Sequence, residues 1–132
     1  MNTKKFSLSV VAYVVIVLFI AVVWHLVLFK DIYSVGMMRQ EPIVALGLAS
    51  MLIQGIIMAT LYPRFSKRRD PVKDGINFGL IMGVFLGSYG VFADAGKYDV
   101  GPIGAYLTLE TIYYLIQYTV VGAVIGLIYG RK

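Results

Sequence analysis

The chain has 132 residues, 59% of them hydrophobic and 14% charged, with a mean hydropathy of +0.80, no cysteine and a formal net charge of +5. Charge is about half that of a soluble domain, and four membrane crossings of about 20 residues each leave only short loops and tails, which excludes an added soluble domain. The missing cysteine excludes disulfides, thiolate metal sites and cysteine nucleophiles, and in such an apolar chain the basic excess sets membrane orientation, which argues against a nucleic-acid partner.

In chain order, the first apolar block runs from Val10 to Phe29 behind Lys4 and Lys5. It is too long for a secretory signal and lacks a small-x-small cleavage pattern, so it reads as an uncleaved span over about 8–29. A polar loop from Lys30 to Pro42 follows, and Pro42 is placed to open a second span over 43–62, which Pro63 is expected to stop. The charge run Arg64 to Asp74 reads as a stop-transfer cluster rather than a head-group site. The third span is expected to begin near Gly75 and fade around Ala93, over 75–93, and the fourth covers 103–129.

Lys and Arg number two, five and two in the N-terminal tail, the second loop and the C-terminal tail, against two and one in the first and third loops. Such a bias places both termini and the Arg64–Lys73 loop in the cytoplasm. Connections of about 13, 12 and 9 residues make successive spans antiparallel neighbours. The expected fold is therefore an all-α membrane protein, a single four-transmembrane-helix up-down bundle with N-in/C-in orientation.

Glycines recur every four residues at Gly75, Gly79, Gly83 and Gly87, and again at Gly122, Gly126 and Gly130. This spacing lines them along one helix face, where another backbone can come close. Spans three and four packing on each other within the chain is the first reading of these ladders; homo-oligomerisation through one of them is the second.

Few polar residues interrupt the spans. Glu110 is the one acidic residue well inside an apolar block, and such a carboxylate must face the bundle, pair or take up a proton. About 100° per residue puts Glu110, Tyr114, Gln117 and Val121 nearly in line, about 120° from the Gly122–Gly126 ladder. His25, after Trp24, stands at the outer end of span one at roughly the depth of Glu110, which makes a His25–Glu110 contact the sharpest expectation. Tyr89, Tyr113, Tyr114 and Tyr118 lie deeper and are candidates to line a polar pocket around Glu110, whereas Trp24, Tyr33, Tyr62, Tyr98, Tyr106 and Tyr129 read as interfacial anchors. Gln54 and Gln117 lie near mid-span and read as interhelical glue.

One histidine without cysteine or a carboxylate cluster makes no specific metal site, and no cofactor motif or enzyme signature is found. The local features Trp24-His25-Leu26-Val27-Leu28 followed by Tyr33, Arg39-Gln40-Glu41-Pro42, Gln54-Gly55, Leu61-Tyr62, Gly75 with Phe78-Gly79-Leu80, and Gly126-Leu127-Ile128-Tyr129 resemble a family of small four-span bacterial inner-membrane proteins of unknown function. The resemblance covers nearly the whole chain and implies architecture only. Small multidrug-resistance exporters are similar in size, but they are expected to carry their key glutamate in the first span, whereas Glu110 is in the fourth. The reading that follows is non-enzymatic: an inner-membrane protein acting through helix packing, as a homo-oligomer or an accessory subunit of a membrane assembly. The alternative is a proton-coupled small-molecule carrier or ligand-binding protein using Glu110 and His25.

Overall fold

The structure is a computed structural model and describes residues 2–34, 43–67 and 69–130. Among these the chain forms helices and no strand: α1 (Thr3–Val22), which continues into a π-helical turn (Val23–Leu28), α2 (Lys30–Tyr33), α3 (Val44–Phe65), α4 (Pro71–Ser88), a second π-helical turn (Tyr89–Ala93), α5 (Asp94–Lys97) and α6 (Ile103–Gly130). Taken with their π turns, four stretches of 26, 22, 27 and 28 residues are long and apolar enough to cross a membrane. Pro42, expected to open the second span, lies outside the described residues.

Four expected boundaries move. α1 begins at Thr3 rather than near residue 8, capped by Asn2, whose side chain accepts the Lys5 N–H at 3.2 Å. Pro63 does not stop α3, which runs on to Phe65. A proline inside a helix has no N–H for the carbonyl four residues back, and that carbonyl, Ala59, accepts a hydrogen bond from the Tyr129 hydroxyl at 2.9 Å instead. The bond that Pro63 cannot make becomes a link between α3 and α6. The third span begins at Pro71 rather than Gly75, because the Asp70 carboxylate accepts the Lys73 N–H at 3.1 Å and Pro71 supplies a preset first helical residue. It also persists to Lys97 instead of fading at Ala93, since the π turn keeps the backbone hydrogen-bonded past Gly87.

Between apolar helices in lipid the hydrophobic effect gives little attraction, so close packing and polar contacts decide how they meet. α4 and α6 meet most extensively, backbone against backbone. A Cβ at Gly79 would collide with the Tyr118 carbonyl oxygen, one at Gly122 with the Gly75 carbonyl oxygen, and one at Gly126 with the Pro71 carbonyl oxygen. Farther along, Gly83 and Gly87 leave room for the Tyr118 and Tyr114 side chains, whose Cβ atoms would stand 3.1 and 3.0 Å from an added Cβ. α1 lies against α3 and α6, and the buried cluster Tyr13, Val17, Met58, Tyr62, Phe78, Tyr118, Val121 and Ile125 joins the four spans. α3 leans mainly on α1 and touches α4 and α6 far less. Residues 43–50 of its leading end are all exposed.

Candidate functional site

The π-helical turn at the end of α1 starts the site. Phe29 N–H donates five residues back to the Trp24 carbonyl at 3.1 Å, and the wider turn sets the directions of Trp24 and His25. Phe29 then leaves helical geometry (φ −124°), so that α2 folds back and brings Tyr33 over the end of α1. The Tyr33 hydroxyl accepts from Trp24 Nε1 at 3.2 Å and donates to Glu110 Oε2 at 2.6 Å. His25 Nε2 lies 3.4 Å from the same oxygen. The expected approach of His25 and Glu110 is thus present in the structure, together with a third group on that oxygen.

Hydrogen positions at His25 follow from its partners. Nδ1 lies 3.1 Å from the Ala21 carbonyl oxygen, which can only accept, so Nδ1 carries a hydrogen. A neutral His25 then presents a bare Nε2 to the carboxyl group, and a charged one presents N–H. Either way Nε2 faces Oε2 across 3.4 Å.

Aromatic edges surround the pair. The His25 ring is held between Tyr33 and Tyr113 at centroid distances of 4.3 and 4.5 Å, both edge-on, and Tyr106 stands 6.0 Å from Tyr33. Glu110 is 7% exposed and Tyr33 8%. Burial first, and then the bonded Glu110 carboxyl, hold the Tyr33 phenol well above the ordinary tyrosine range.

Of the sequence candidates, His25, Glu110 and Tyr113 come together here. Tyr114 turns toward α4, packs on Gly87 and stacks on Tyr118 with 3° between ring planes. Gln117 is buried two turns farther along α6, with its Oε1 lacking a hydrogen-bond partner among the described residues. Tyr89 does not line the site. It is 64% exposed and accepts a hydrogen bond from Lys97 Nζ at 2.7 Å, because the π turn that starts at Tyr89 swings it outward. Four tyrosines expected as interfacial anchors are instead buried or bonded inside the bundle. Tyr33 donates to Glu110, Tyr106 is buried edge-on against Tyr33, Tyr62 donates to the Pro71 carbonyl at 2.5 Å, and Tyr129 donates to the Ala59 carbonyl.

A second polar cluster ties the middle of the bundle. Gln54 Oε1 accepts from the Tyr13 and Tyr118 hydroxyls at 2.6 and 2.9 Å, which uses both lone pairs of the amide oxygen, while Gln54 Nε2 donates to Ser50 Oγ at 3.3 Å. One side chain of α3 thereby joins α1 and α6. Among the described residues, no group of three or more His, Cys, Asp or Glu side chains could hold a metal ion. No protein-family model, no curated protein and no solved structure matches this chain.

Proposed function

We propose that the protein acts through helix packing in a bacterial inner membrane, as a homo-oligomer or an accessory subunit of a larger membrane assembly, and without enzymatic chemistry. Its four spans run up and down with both termini in the cytoplasm, in keeping with the Lys and Arg bias and with the likeness to small four-span inner-membrane proteins. The observation that carries this reading is α3. Its leading end, residues 43–50, is exposed on every side, and it carries Ala45, Gly47, Ala49 and Ser50, with open space around Gly47. The glycine ladders of α4 and α6 are filled by the facing helix, so a small-residue helix surface left open within a span is suited to a helix from a second polypeptide.

Because the chain has no cysteine, a single Gly47→Cys reports contact between copies without background. Oxidation of membranes should give a disulfide-linked dimer with Gly47→Cys and none with Val15→Cys on the exposed face of α1. A monomeric Gly47→Cys that co-purifies with another membrane protein in mild detergent would select the accessory-subunit form. A monomer with no companion would overturn the reading. For orientation, Lys67→Cys should resist an impermeant thiol reagent applied from outside, and Gly101→Cys should react with it.

A second reading is favoured by the shared oxygen of Glu110. With Tyr33 and His25 both on Oε2, the cluster can bind and release one proton, as a proton-coupled carrier or ligand-binding protein requires. Glu110→Gln that keeps full stability while abolishing proton-dependent uptake would replace the packing reading with this one.

A further inference from the structure

Glu110 is covered by a short strap, Phe29–Ser34, that hangs on one side chain. Lys30, Asp31 and Ser34 of this strap are exposed and Phe29 and Ile32 half-buried, so that only Tyr33 is buried. The four residues of α2 are too few to hold a helix by their own hydrogen bonds, and contacts with the bundle must keep it in place. Among the described residues, the side-chain hydrogen bonds that reach the bundle from the strap all pass through Tyr33. Its hydroxyl accepts the Trp24 indole N–H at 3.2 Å and donates to Glu110 Oε2 at 2.6 Å, while its ring meets His25 and Tyr106 edge-on. Phe29, where the backbone reverses, packs on Trp24 with 4.6 Å between ring centroids. The strap has a hinge at Phe29 and a latch at Tyr33.

A hydroxyl bonded to a charged carboxylate makes a bond about twice as strong as one to a neutral acid, and 2.6 Å is the length of the charged kind. The hold of the latch therefore depends on where a proton resides. On His25, whose Nε2 stands 3.4 Å from the same oxygen, it leaves Glu110 charged and the latch intact. On Glu110 it makes the acceptor neutral and the latch weak. Oε1 takes no hydrogen bond from any described residue, so a proton can settle there without displacing the bonds on Oε2. Around the pair, α6 contributes the phenols of Tyr106 and Tyr113, and α2 contributes Lys30 and Asp31, exposed and opposite in charge. From α5 come Asp94, whose charge reaches Tyr106 and Tyr114, and Lys97, which donates to the exposed Tyr89. Of all these groups only Tyr33 and His25 bond to Glu110. A bond that is stronger to the anion is given up as pH falls.

We propose that Phe29–Ser34 is an acid-opened lid over Glu110, latched by the Tyr33 hydroxyl and released when the carboxyl group takes up a proton. The lid rests on the second reading above, that the Glu110 cluster exchanges a proton, and the two can fail separately. Trp24 is the only tryptophan and His25 the only histidine of the chain, so each gives a single signal. Acrylamide quenching of Trp24 in the detergent-solubilised full chain, taken relative to the unquenched intensity at each pH, reads the lid, because Phe29 and Tyr33 both lie against the indole. From about pH 9 to about pH 4 the open population should rise about fivefold. Tyr33→Phe and Glu110→Gln should each show the acid level of quenching throughout, with no dependence on pH. His25→Gln should keep the rise, because the carboxyl group still titrates. If Glu110→Gln fails to fold, Tyr33→Phe, which changes almost no volume, decides the matter alone. Flat quenching in the unaltered chain, a rise that survives in Tyr33→Phe, or one that disappears in His25→Gln would each overturn the lid. The His25 ring signal in NMR then tells what has failed. Flat quenching with a ring that titrates leaves proton exchange standing without a lid, and flat quenching with a ring that does not titrate removes both.

Discussion

The two sides of the bundle are held by different physics. α4 and α6 meet through glycines, with carbonyl oxygens where side chains would be and no polar side chain needed to join them. α1 meets α3 and α6 through hydroxyls, an amide, an imidazole and a carboxyl group. Dispersion between backbones demands close approach and tolerates no added volume, whereas a hydrogen bond tolerates changes in size but not in polarity. A bundle that uses both has one seam sensitive to bulk and another sensitive to chemistry.

The largest effect should come from bulk at the first seam. Gly79→Leu and Gly122→Leu should each cost about 3 kcal/mol or more and leave little folded protein, because the obstacle is backbone rather than a movable side chain. Even Gly79→Ala should be damaging, since its Cβ meets the Tyr118 carbonyl oxygen. Thermal unfolding in detergent that is unchanged by Gly79→Ala would break the comparison at its root.

Next come changes of polarity at the second seam. Glu110→Gln and His25→Gln should each cost about 1–2 kcal/mol, and the double variant should lose less than the sum by about 0.5 kcal/mol or more, as expected for groups in direct contact. Additive losses would separate the two residues. Tyr33→Phe removes the donor on Glu110 with almost no change in volume and should cost about 1 kcal/mol. If it instead matched a glycine substitution in severity, packing rather than hydrogen bonding would be holding α2 in place.

Tyr13→Phe should fall near the average of about 0.6 kcal/mol for hydrogen bonds between membrane helices, because Gln54 keeps its bond from Tyr118. The smallest effect is expected at Gly47, where an added Cβ meets nothing. Gly47→Ala should leave the isolated chain unchanged or up to about 1 kcal/mol more stable through helix propensity. A marked loss of assembly with unchanged monomer stability would show what that open face is for.

Much of this was legible from spacing alone. Runs of apolar residues mark the four long helices, the four-residue glycine period marks the seam between α4 and α6, and depth arithmetic pairs His25 with Glu110. Contacts made by the chain folding back on itself were not legible. Tyr33 stands beyond its span and has the composition of an interfacial anchor, and only the reversal at Phe29 puts its hydroxyl on Glu110. Pro63 carries the usual signal for a helix end, yet the compensating donor, Tyr129, is on another helix. Tyr89 faces outward because of a local change in helix type that no apolar period encodes.

The wide turn at Val23–Leu28 also bears on how this chain can change in length. Before it, α1 is pinned to its neighbours through Lys5 and Tyr13, and after it the chain is pinned again through Tyr33. A residue added between those anchors cannot be absorbed by sliding the helix, because sliding would unmake the contacts at both ends. It can be absorbed by letting one turn carry an extra residue, which is what a π-helical turn does. The turn is therefore the form a single-residue insertion takes in a helix held at two points, and removing one residue from Val22–Leu28 would restore a regular helix while rotating the imidazole away from Glu110.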